Sequence, residues 1–140
     1  MSRESRLLAG ILLAVLPTVM FGGVSLLNFL TSNSPGYVDN PLRQDLFRAG
    51  HAHAGVYLVL SLLMLRYVDE AALGPSWKWL ARLGAPIAAI LIPAAFFLSV
   101  VSPDAREPSG LINLAYLGAI FLAAAALTLG VGLIRAARQT

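Results

Sequence analysis

The run Leu111-Ile-Asn-Leu-Ala-Tyr-Leu-Gly-Ala-Ile-Phe-Leu-Ala-Ala-Ala-Ala-Leu-Thr-Leu-Gly-Val-Gly-Leu-Ile134 contains no charged side chain. At about 1.5 Å per residue, a helix of this length crosses the roughly 30 Å hydrocarbon core of a bilayer. Three further segments have the same character: Leu7 to Leu30, Leu46 to Tyr67 and Trp77 to Val101. In lipid the backbone must satisfy its own hydrogen bonds, so continuous apolar runs of this length are helices rather than barrel strands. The sequence therefore predicts an all-α integral membrane protein, a single four-helix bundle occupying residues 1–140. Its composition agrees: 58% of the 140 residues are hydrophobic, 12% are charged and the mean hydropathy is +0.76, far from a soluble globular domain.

Arg3, Arg6, Arg66, Lys78, Arg82, Arg135 and Arg138 fall on one side of these four segments, and Arg43, Arg48 and Arg106 on the other. The positive-inside bias then places both termini in the cytoplasm, as in a multi-pass protein of a bacterial-type inner membrane. The net charge of +3 reflects that bias and not nucleic-acid binding. Trp77 and Trp79 are expected in the inner interface and Tyr37 in the outer one. The first run continues past Pro17 through Leu30 with no small-x-small cleavage site, so it reads as a retained helix and not a secretory signal. With no cysteine, disulfides, thiolate metal sites and thiol nucleophiles are excluded.

The loop Thr31 to Asp45 is rich in turn formers, and Pro41 with Leu42, Leu46 and Phe47 suggests a short interfacial turn before the second helix. Pro17, Pro86 and Pro93 are expected to bend their helices. On the fourth helix Ala115, Ala119, Ala123, Ala126 and Gly130 form a small-residue stripe suited to close helix packing, within the bundle or between protomers.

The second helix opens with Arg48-Ala-Gly-His-Ala-His-Ala-Gly55, which holds both histidines of the chain. Ionisable side chains are costly inside a bilayer and mark functional sites by default. Two positions on a helix differ by about 200°, so His51 and His53 face opposite ways and cannot share one metal ion from one helix. Asn28, His51, His53, Tyr57, Phe96, Phe97, Asn113 and Tyr116 fall at one depth from four different helices, which points to a site in the outer half of the bundle. Haem suits it: the group needs one imidazole, a flat slot such as Gly55 and the neighbouring alanines allow, and cations for its propionates, for which Arg43 and Arg48 are candidates. An interhelical hydrogen bond for each histidine is the simpler alternative.

The order of these features, a spanning helix ending in Asn28, Pro35-Gly-Tyr37, Arg48, Ala52-His-Ala-Gly55 and the Ser102-Pro103 turn, resembles the styrene oxide isomerases. It is similar also to their distant relatives, the hydroxylaminobenzene mutases. The resemblance implies haem b at a subunit interface of a homotrimer, with His53 as the iron ligand and His51 as second choice. It also implies a ferric Lewis acid that turns an epoxide into an aldehyde. The chain departs from the family at several points. The asparagine six residues past the ligand falls on Val59, or counted from His51 on Tyr57, and the third-helix acid and tyrosine fall on Ala88 and Phe96. Tyr57, Asn113 and Tyr116 are the candidate catalytic substitutes. Two other readings stay open: a haem protein without that reaction, serving as sensor, carrier or respiratory accessory subunit, and a cofactor-free structural subunit.

Overall fold

A computed structural model describes residues 1–139. Among them are four long helices: α1 (Arg3–Thr31), α2 (Pro41–Tyr67), α3 (Pro75–Ser99) and α4 (Leu114–Ala137), the last preceded by a single 3-10 turn at Gly110–Asn113. No strand occurs among the described residues. Each helix is long and apolar enough to cross a membrane. The helices run through Pro17, Pro86 and Pro93 without interruption.

α2 begins five residues before the expected start at Leu46. Asn40 is its N-cap, accepting the Arg43 amide at 3.1 Å, and Pro41 occupies the first helical position, where its missing N–H costs nothing. The segment expected as a separate interfacial turn is thus the first turn of α2.

α3 lies between α2 and α4, and α1 rests on the outside of α2. The four helices make an open row, and α1 buries only Ser5 completely. The main core forms where Met64, Val68 and Ala71 meet Ala81 and Ala85 of α3 and Ala125 and Leu129 of α4. α3 and α4 approach closely through glycine: a Cβ on Gly84 would sit upon Ala125 Cβ and 2.7 Å from the Phe121 carbonyl, and one on Gly118 would meet Ile92 at 2.7 Å. The packed stripe of α4 is therefore Gly118, Ala125, Leu129 and Gly132. Ala119, Ala123 and Ala126 of the expected stripe are exposed on the protomer surface.

The two ends of the row are tied by different chemistry. At the end carrying both termini, Arg82 is buried and donates from Nη2 to Asp69 Oδ1 (2.7 Å) and from Nε to Ser5 Oγ (3.1 Å). The Ser2 amide donates to Asp69 Oδ2 at 2.7 Å, and Lys78 Nζ reaches the Asp69 carbonyl at 3.2 Å. This cluster fastens the start of α1 to the α2–α3 loop and to α3. Burial opposes ionisation of Asp69, but the Ser2 amide, the Arg82 guanidinium and the serine hydroxyls outweigh it and hold its carboxyl at about 2.

At the distal end Arg43 of α2 staples two loops. Its guanidinium donates to the carbonyls of Gly36 (2.8 Å), Val100 (3.1 Å) and Val101 (3.2 Å) and lies 4.7 Å above the Phe47 ring. Tyr37, in the distal loop, is 3% exposed. It packs between Phe29 and Phe47, because the 32–40 loop folds down onto the helix ends.

Candidate functional site

The two histidines diverge as the helical rotation requires. His51 is directed at α1: a Cβ on Gly23 would lie 2.9 Å from its Nε2, and one on Gly22 3.6 Å from its Nδ1. Glycine at 23 lets the imidazole wedge into the α1/α2 crossing, above an apolar cavity of about 250 Å³ lined by Val15, Val19, Ala54, Leu58 and Pro86. Gly55, expected to widen the slot, belongs to this same crossing, with Val19 of α1 as its nearest neighbour.

His53 lies on the other flank of α2. Its Nδ1 is 2.7 Å from the Ala49 carbonyl, one turn back. A carbonyl can only accept, so Nδ1 is the donor in this bond, and Nε2 is the nitrogen that carries the lone pair in the neutral ring. The ring is held edge-on by Phe96 of α3 (centroids 5.2 Å apart) and by Tyr57 (5.4 Å). Glycine at residue 50 lets Phe97 and Phe96 pack closely here; a Cβ there would be 3.0 Å from the Phe97 ring. Phe97 stacks in turn on the edge of Phe47 (5.3 Å). The imidazole is therefore oriented by one hydrogen bond and two aromatic contacts, the arrangement that fixes tautomer and angle in a ligating histidine.

Ala52, His53, Val56 and Tyr57 line a shallow slot of about 150 Å³. That is well below the roughly 300–1,000 Å³ of pockets that enclose a ligand of moderate size. A large planar group here is gripped from one side by this chain and needs a second surface to close over it. Ala52, Val56, Val59 and Leu63 continue an exposed lane down α2 from the same place. Among the described residues no three His, Asp or Glu side chains converge to hold a metal ion. A porphyrin iron carries four ring nitrogens of its own and would ask this chain for one imidazole. The donor set thus fits haem, with one imidazole supplied from this chain.

The chain matches no protein-family model, no curated protein and no solved structure. The site must be read from its own geometry.

That geometry brings together only some of the residues expected at one depth. His53, Tyr57, Phe96 and Phe97 form one cluster. The phenol of Tyr57 makes no hydrogen bond to any described residue, so it remains available to a ligand. Asn28, expected to contribute to the site, is exposed on α1. Asn113 is exposed and donates to the Gly110 carbonyl (3.0 Å) within its own turn, and Tyr116 is 70% exposed. Arg48 pairs with Asp45 at 2.6 Å on the open surface, and the donors of Arg43 are occupied by loop carbonyls. Ala88 is fully buried in α3, so the position where a carboxyl was expected adds no polar group to the slot.

A larger concavity, about 660 Å³, lies elsewhere: it is a solvent-open bowl between the distal loops, lined by Asp39, Asn40, Pro103 and Arg106 among others. Sequence reading missed the polar cluster of Ser2, Ser5, Asp69 and Arg82. Its signal was Arg82 itself, a charge placed inside the apolar run Trp77 to Val101 rather than beyond its end.

Proposed function

We propose that this chain is a multi-pass membrane protein that binds haem b, with His53 Nε2 as the axial ligand. The observation that carries the reading is the Nδ1 hydrogen bond to the Ala49 carbonyl, which leaves Nε2 basic on a ring already fixed by Phe96 and Tyr57. His51 is disfavoured as the ligand because glycine 23 lies against its Nε2. Arg48, about a turn and a half from His53 toward the distal end, is the more available cation for a propionate, since only Asp45 competes for it.

The one-sided slot supports a homo-oligomer, a trimer by the resemblance to the styrene oxide isomerases, in which a second protomer closes over the ring. The basic residues at the terminal end support cytoplasmic termini in a bacterial-type inner membrane.

When bound, ferric haem supplies a Lewis acid able to polarise an epoxide oxygen for isomerisation to an aldehyde. His53 holds and orients that group, Phe96 and Val56 keep its surroundings apolar, and the Tyr57 hydroxyl is the nearby proton donor left free by the protein. A second reading, a haem protein without isomerase chemistry, is favoured by one observation: Ala88 and Phe96 stand where the family has an acid and a tyrosine, which leaves Tyr57 as the one polar side chain lining the slot with His53 among the described residues.

Absorption spectra of the detergent-purified protein test the cofactor. Wild type and His51→Ala are expected to show a Soret band, and His53→Ala to lose or shift it. A colourless wild type reconstituted with hemin refutes both readings in favour of a structural subunit. Turnover of styrene oxide by the haem-loaded protein separates the first reading from the second.

A further inference from the structure

At the terminal end, the α2–α3 loop, the start of α3 and the last turns of α4 enclose a crevice of about 280 Å³ lined by Leu73, Trp77, Leu127, Thr128, Val131 and Arg135. Its back wall is fixed. The Ala72 amide donates to the Gly132 carbonyl at 3.0 Å, and Leu73 packs so closely on Gly132 that a Cβ there would lie 2.6 Å from it. Its sides are apolar and open outward: Trp77 is 58% exposed, Leu127 70% and Val131 44%.

At its rim Arg135, in the last turn of α4, makes no side-chain hydrogen bond or ion pair with any described residue. The two carboxylates of the adjoining α2–α3 loop are already engaged, Asp69 by Arg82 and Glu70 by Arg66. Among the described residues, then, an unpaired guanidinium stands over an apolar cleft, beside a tryptophan at the level where such rings meet lipid headgroups.

We infer that this crevice binds one anionic glycerophospholipid, its phosphate on Arg135 and the upper part of an acyl chain along Leu73, Leu127 and Val131. Basic pockets between membrane helices select anionic headgroups by this combination of charge and apolar depth. The occupant is a lipid because the crevice opens on helix faces apolar enough to cross a membrane, and the guanidinium and tryptophan at its rim offer a phosphate the charge and interface that complement it. The inference rests on the membrane insertion proposed above and not on His53. Protein that stays soluble without detergent defeats that insertion, whereas a haem-free protein leaves the lipid site intact.

The test is native mass spectrometry of the full chain in detergent, titrated with phosphatidylglycerol or phosphatidylcholine carrying identical oleoyl chains. Wild type is expected to retain phosphatidylglycerol preferentially. Arg135→Gln should lower that occupancy roughly fivefold, the attraction of one basic residue to an anionic lipid. Arg138→Gln, just beyond the crevice, should change it less than twofold. Val131→Phe, which fills the crevice from its exposed side, should lower binding of both lipids with unchanged helicity. Equal retention of the two lipids by wild type overturns the inference. So does an equal loss in Arg135→Gln and Arg138→Gln, which would mean diffuse surface charge, or displacement of the lipid by equimolar inorganic phosphate. Should Arg135→Gln fail to fold, unchanged phosphatidylglycerol binding by Val131→Phe is decisive against it.

Discussion

Removing Asp69 should detach α1 more effectively than any change in α1 itself. Arg82 has a side chain only 8% exposed, against 18% for Asp69, and the carboxylate accepts both the guanidinium and the Ser2 amide. In Asp69→Ala the guanidinium keeps two serine hydroxyls and a cation–π contact with Trp79 at 5.2 Å, but loses its counter-charge. Orphaning a buried partner in this way costs about 3–5 kcal/mol, and the partial exposure of the pair argues for the lower figure. In Arg82→Met/Asp69→Ala no buried charge is left behind, so the double variant should be more stable than Asp69→Ala alone, a coupling of 1 kcal/mol or more in a thermodynamic cycle. Thermal unfolding in a mild detergent reads both. Acid gives an independent check. The Asp69 carboxyl titrates at about 2 against an ordinary value of 3.8, so its contribution is complete above pH 3.8 and fades as pH falls through 2. It amounts to at most about 2 kcal/mol after discounting for solvent screening. If Asp69→Ala and the double variant melt together, or the acid limb is the same in wild type and Asp69→Asn, the cluster is not what holds α1.

Gly23→Ala should force His51 out of the α1/α2 crossing, lowering stability by about 1–3 kcal/mol while leaving any haem spectrum at His53 unchanged. Tyr57→Phe should keep the haem spectrum but reduce epoxide turnover at least tenfold if the phenol transfers a proton; equal turnover assigns Tyr57 to packing alone. Ala52→Trp, placed in the open slot, should lower hemin affinity without changing the melting temperature, since Ala52 is exposed on the isolated protomer. Arg43→Ala leaves three loop carbonyls without their donor, and limited proteolysis should then cut the 32–40 or 100–109 loops faster than in wild type.

The helices could be read from the sequence because apolar length is a property of each segment alone. Their starts and faces could not. The first turn of α2 looked like loop because Asn40-Pro41 is both a turn signal and a helix cap, and only the closing of the backbone around Arg43 decides between them. On α4 nearly every side chain is apolar, so no polar face marks which small residues turn inward. The choice of Gly118, Ala125 and Gly132 over Ala119, Ala123 and Ala126 depends on where Gly84 and Ile92 of α3 happen to meet it. Charges mislead for a related reason. Arg43 and Arg82 each count correctly toward an end of the bundle, yet each is occupied holding loops or helix termini together, which charge counting does not reveal.

The histidines show how much a local rule carries. A rotation of about 200° between positions i and i+2 separates the two rings, and from that alone they cannot share a task. What each does is then decided by the neighbour it meets. His51 meets two glycines, which receive its ring as packing volume. His53 meets the carbonyl of Ala49 and two aromatic edges, which hold the ring beside a slot lined by Ala52, Val56 and Tyr57 of its own helix. Packing alone would be served equally by leucine at either position. An imidazole whose hydrogen bond sets its tautomer, beside an open slot, is better explained by a ligand that completes both the nitrogen and the surface, and replacing His53 with leucine should therefore cost binding without costing the fold.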